Sequence, residues 1–204
     1  MMNHQTLLAG YVRDMLSVEN EMHQAFRRQK HDDRLNIHPE SARLIARIED
    51  TIDRHLGALR HGLAELGADP SSSSLKVKQT LSSVLGAAAG IYNGMLSEDP
   101  VSRMLRDDYI ALSTAIVCYE MLHTTALACQ NEPVENEPVA ELALAHLKDY
   151  APFVMAIGEI LPHAVVEELS REGKLPAAHD AAEQAVKNTR EAWMEGSESE
   201  RASV

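Results

Sequence analysis

An all-helical fold is what this sequence predicts, and three observations carry the prediction. The chain of 204 residues is 45% hydrophobic but only 4% aromatic, rich in Ala, Leu, Met, Glu and His and poor in the β-branched and aromatic runs that make strands. Apolar residues recur at helical spacing in five segments. Breakers such as Gly67, Pro70, Pro100 and Pro138 fall between those segments. The length suits one domain with a sizeable core. The expected organisation is a helical bundle over residues 1–165, with residues 166–204 as a C-terminal helical extension and disordered tail.

The formal net charge is −12, and such a field repels phosphate backbones and anionic lipid surfaces while favouring cations. Neither nucleic acid nor membrane is an expected partner. The opening MMNHQTLLAGYVRDM lacks a basic region followed by a long apolar core, and no run approaches the length of a spanning helix, so a cytoplasmic location is expected. Cys118 and Cys129 lie on one helix, roughly 16 Å apart along its axis, too far for a disulfide.

The first helix, about Gln5 to Gln29, places Leu8, Val12, Met15, Met22 and Phe26 in one stripe, and Glu19 is the charged residue inside it. A carboxylate there needs a partner or a proton. A ligand role, and a buried salt bridge or a shifted packing face, are equally good readings. Glu21 points the other way, and His23, one turn on, could join Glu19. After a polar loop, Pro39, Glu40 and Ser41 look like a helix start. The second helix, Pro39 to Leu66, has Leu44 or Ile45, Ile48, Ile52, Leu56, Leu59, Leu63 and Leu66 as its stripe, with His55 on it, and stops at Gly67. His61 reads as a solvent-edge histidine. Four serines, Ser71 to Ser74, lead to Leu75–Leu96, a small-residue segment with Gly86, Gly90 and Gly94 that reads as a crossover or packing helix and a homodimer face.

The central segment, Asp107 to Gln130, reads as a buried helix carrying Glu120 and His123. Residues three apart on a helix project from one face, so a Glu-x-x-His pair can hold one metal ion. Ile116 and Leu127 put that pair in an apolar stripe. The bland alternative is a surface Glu beside a core-edge His satisfied by a backbone carbonyl. The Pro-containing connector NEPVENEPV follows, with Pro138 in the first turn of the next helix. That helix, Val139 to Ile160, buries Leu142, Ala145 or His146, Phe153, Ala156 and Ile160, with Asp149 on the same face. Pro152 is expected to kink or break it beside Asp149, which makes Asp149 either a ligand or the N-cap of a new helix. Short helices around Gly173 and Pro176 and a polar GSESERASV tail complete the chain.

With these segments in place, the chain resembles the ferritin-like bacterial stress-response family of the YciE/YciF type over about Leu7 to Ile160. The resemblance rests on DMLSVENEM, HLGALRHGLAELG, CYEMLHTTALA and HLKDYAPFVMAIGEI. It implies a ferritin-like four-helix bundle with a crossover helix, and inward carboxylates at Glu19, Glu120 and Asp149 with the second-helix histidine at His55. Departures are Ile52, Thr51 and Tyr150, where the family pattern has acids.

Together these readings give an expected metal-binding protein, with iron, or alternatively manganese or zinc, held by Glu19, His55, Glu120, His123 and Asp149, and with His23 and His146 as outer candidates. Three inward acids against the four of a symmetric di-metal site imply fewer than two tightly bound ions and slow or absent ferroxidase turnover. A role in oxidative or general stress response is what the resemblance implies. No nucleophile–base pair or phosphate loop appears, and no catalytic residue is assigned. The rival reading is a metal-free helical interaction module.

Overall fold

The computed structural model describes residues 4–69, 100–129, 137–173 and 179–201, and all the regular structure among them is helical. The elements are α1 (His4–Gln29), a 3-10 turn (Asp33–Ile37), α2 (Pro39–Glu65), α3 (Val101–Ala128), α4 (Glu137–Arg171) and α5 (His179–Arg201). The first four α-helices close a ring, α1 on α2, α2 on α4, α4 on α3 and α3 back on α1, and α5 packs on the outside of it against α4. One core fills the space they enclose, from Leu8 and Phe26 of α1 to Ile157 of α4. The 71–74 serine linker, the 75–96 segment with its crossover and dimer readings, and most of the NEPVENEPV connector lie outside the described residues.

The α1 stripe forms as its spacing dictates. Leu8, Val12, Met15, Met22 and Phe26 are buried together with Glu19, and Arg27 and Arg28 sit in the last turn, where cations oppose the helix dipole favourably. In the turn that follows, the Asp32 carboxylate accepts from the Arg34 backbone N–H at 2.9 Å. Pro39 then opens α2, as expected from its fixed φ and missing donor.

The end of α2 is a glycine stop. Gly67 has φ +67°, which lets Gly67 N–H donate to Ala64 O at 3.0 Å and Ala68 N–H to Leu63 O at 2.9 Å, the paired bonds of a Schellman motif. A Cβ placed there would meet nothing within 4 Å, so substitution is penalised by the backbone alone. Gly67→Ala is expected to lower stability by about 1 kcal/mol, measured by urea denaturation. An unchanged midpoint would mean that the helix end rearranges instead.

Three expectations about the later helices need correction. First, α3 begins at Val101, so Asp107 and Asp108 lie within it and are buried. Asp107 pairs with the Arg106 Nε at 2.8 Å, and Asp108 accepts from the Gln29 side chain at 2.8 Å. The start is held from α4, where the Glu168 carboxylate accepts from Ser102 N–H at 2.9 Å, at the positive end of the helix dipole.

Second, α4 neither breaks at Pro152 nor ends at Ile160, since both Pro152 and Pro162 lie inside it. Each proline removes one bond, to the Lys148 or Gly158 carbonyl, at a cost of about 3 kcal/mol. Against that, α4 buries Val139, Ala143, Tyr150, Phe153, Val154 and Ile157, each large side chain contributing about 1.5–3 kcal/mol. Packing against α3 along its length therefore outweighs the local rule, and Asp149 is no N-cap. Gly173, with φ +66°, follows the end of α4, and α5 then runs to Arg201, so much of the polar tail is helical. Ala182 buries α5 against the rest, helped by the Arg190–Glu159 ion pair.

Third, α3 is long and apolar enough to cross a membrane by length and composition, with mean hydropathy 1.3 over its best window, although no run was expected to reach that length. A core helix passes the same test, and α3 makes its most extensive contacts with α4.

Candidate metal centre

Three helices send polar side chains to one point in the core. Glu19 from α1, His55 from α2 and His146 from α4 are all buried, and each offers a ligand atom within 4.8 Å of the others. Tyr119 of α3 and Tyr150 of α4, both fully buried, complete the group.

Glu19 is its hub. Its Oε1 accepts from the Tyr119 hydroxyl at 2.5 Å and lies 3.2 Å from His55 Nδ1, while its Oε2 accepts from the Tyr150 hydroxyl. Both phenols titrate well above their usual value, because burial and then the nearby Glu19 charge disfavour a second anion. They are therefore fixed as donors to the carboxylate.

The histidine tautomers follow from this network. Since the Tyr119 hydroxyl gives its proton to Glu19, His146 Nδ1, 2.9 Å from the same oxygen, must donate to it. That leaves the lone pair on His146 Nε2. Burial, then the charges of His55 and Arg54, lower the His146 pKa to about 3, so the ring is neutral at pH 7. His55 Nε2 is 3.2 Å from Asp149 Oδ2, and its Nδ1 faces Glu19. Each imidazole thus has one nitrogen engaged by an outer acceptor, Asp149 for His55 and Tyr119 for His146, the way metal-bound histidines are oriented.

One feature opposes a ready chelate. The His55 and His146 rings stack with centroids 3.7 Å apart and planes only 9° from parallel. An ion midway between them would lie about 1.8 Å out of each plane, whereas an imidazole lone pair points within its own plane toward an ion about 2.1 Å away. Coordination by both rings requires one of them to turn.

The other sequence candidates are placed differently. Glu120 is exposed, which corrects its expected inward orientation, and His123 donates Nδ1–H to the Ala140 carbonyl at 2.8 Å. This is the surface-Glu, core-edge-His alternative. The inward stripe of α3 is Leu112, Ala115, Tyr119, Leu122 and Ala126, and Leu127 is exposed. His23 stands apart from the centre, 3.4 Å from Glu49 and 3.9 Å from Asp53. Asp149 is half-buried and bridges His55 to Arg54, whose Nη1 is 4.0 Å away. Ile52 is fully buried and offers no ligand. Sequence reasoning overlooked Tyr119 and treated Tyr150 only as a missing acid. The available signal was that a tyrosine inside an apolar stripe needs a partner for its hydroxyl.

No protein family matches this chain, and no curated protein or solved structure is significantly similar to it.

Proposed function

We propose that this chain is a ferritin-like four-helix bundle that binds one divalent first-row metal ion in its core, through Glu19, His55 and His146. The observation that carries the reading is the convergence of one carboxylate and two imidazoles from three helices, each histidine anchored by an outer acceptor. Two nitrogens and one oxygen suit iron, manganese or zinc. One carboxylate at the centre and a second, Asp149, one histidine away offset a single divalent charge, and a second ion would be left uncompensated in a low-dielectric core. Bound iron with open positions would supply oxygen or peroxide reduction coupled to its own oxidation, the chemistry a stress-response role would use. Within that chemistry, the residues at hand have defined parts. Tyr119 and Tyr150 hold the Glu19 carboxylate, and Asp149 and Tyr119 orient the two imidazoles.

A metal-free helical module is the second reading, favoured by the 3.7 Å histidine stack and by a hydrogen-bond network that already satisfies Glu19. Metal analysis after anaerobic loading and desalting separates the two. At most one ion per chain is expected, lost in His146→Ala and retained in Glu120→Ala, with EDTA lowering the melting temperature. Two ions per chain, or loss in Glu120→Ala, would overturn the assignment of this centre. No retained ion and no EDTA effect would leave the metal-free module.

A further inference from the structure

A cleft of about 430 Å³ opens between α2 and α4, lined by Arg47, Thr51, Arg54, Lys148, Asp149 and Phe153 among others. From this cleft we infer a binding site for a small organic carboxylate, separate from the metal ligands and not dependent on a metal being bound.

Charge in the cleft is the first argument. In a chain of net charge −12, cations ordinarily find acids nearby, and the acids here are already engaged. Asp50 lies 3.6 Å from Lys30, and Asp149 sits between His55 Nε2 and Arg54. Arg47 and Lys148, facing the cleft from opposite helices, have no acidic partner among the described residues. Arg54 has one Nη2 bond, to Thr51 Oγ1 at 2.9 Å, and guanidinium donors remain for a ligand. An anion entering the cleft therefore meets three positive groups from two helices against two acids, Asp50 and Asp149, and among the described residues Arg47 and Lys148 are the cations that no acid pairs.

Shape and polarity set the class of anion. The Arg47 guanidinium stands 5.5 Å over the Phe153 ring, a cation–π contact that holds its planar fork beside an apolar wall. Phe153 is itself buried under Arg47, and the exposed Pro152 beside it forms the wall, against which a hydrocarbon body can lie. A planar carboxylate matches a guanidinium with two parallel bonds. Inorganic phosphate would meet the same cations but leave the apolar wall uncovered. The cleft thus favours an aromatic or aliphatic monocarboxylate.

Titration calorimetry and NMR shift mapping test this with benzoate and hexanoate as probes, and with benzyl alcohol and inorganic phosphate as controls, in EDTA so that the outcome is independent of any metal. Saturable benzoate binding is expected, weakened at least tenfold by Arg47→Gln and abolished by Arg47→Gln with Lys148→Glu. Both positions are exposed, and unchanged far-UV dichroism would confirm that the variants fold. Weakening by added salt is also expected. Equal affinity for benzyl alcohol, or benzoate binding untouched by the double variant, would overturn the carboxylate site. Phosphate binding as tightly as benzoate would overturn the role of the Pro152 wall, and no binding of either anion would mean that these cations are merely solvated.

Discussion

Glu19→Ala is expected to lower the unfolding free energy by roughly 3–5 kcal/mol, the cost of removing one partner from a buried charged network. The Tyr119 and Tyr150 hydroxyls both donate to this carboxylate, and each would be stranded in a core that water does not reach. Each neutral donor left unsatisfied costs about 1–3 kcal/mol, and removing the Glu19 side chain adds a cavity. Glu19→Gln separates charge from shape. It keeps the volume and one acceptor oxygen but turns an NH₂ toward a hydroxyl that now lacks its acceptor, so its loss is expected to be the smaller of the two. Urea denaturation at pH 7 in EDTA measures both losses without any contribution from bound metal. A loss under about 1 kcal/mol for Glu19→Ala would show that the core relaxes and that Glu19 is no hub.

The helices that could be phased from sequence are those with chemical contrast. In α2, charged residues alternate with Ile48, Ile52, Leu56, Leu59 and Leu63, and the buried face follows without ambiguity. Glu19 was legible for a related reason, as a charge inside an otherwise apolar stripe. In α3 that contrast is missing. Ile110, Val117, Met121 and Leu127 are exposed yet belong to the same chemical class as the inward residues, so several faces fit the apolar pattern. An error of one residue rotates the helix by about 100°, enough to exchange Tyr119 for Glu120 at the centre. For α4, the choice between Ala145 and His146 could not be made from periodicity, and His146 is the buried one. Its prolines misled because a local rule was applied without the tertiary burial that outweighs it. The juxtaposition of His146 with Tyr119 depends on how α4 docks on α3, and helical spacing alone carries no information about that.

Acid should destabilise this protein from an unusually high pH, and His146 should be a main cause. In the folded chain its pKa is lowered from 6.5 to about 3, so between those values the unfolded ring takes up a proton that the folded ring refuses. The unfolded state then binds more protons, and stability falls as pH falls. The contribution is complete above about pH 6.5 and is lost progressively toward about pH 3, at about 1.4 kcal/mol per pH unit across the window. Ordinary carboxylates titrate mostly below the upper part of this window, so histidines dominate the slope between about pH 5 and 6.5. His146→Gln isolates the effect, because its amide can still donate to the Tyr119 oxygen but cannot titrate. At pH 7 the variant is expected to be less stable than the parent, since the glutamine packs less well against the His55 ring. The gap should narrow as the pH is lowered, with the variant's stability falling by one proton's slope less. Urea denaturation of both proteins at half-unit steps from pH 7 to 5, in EDTA, gives the two curves. Parallel curves across that range would show that His146 is not held neutral by its burial.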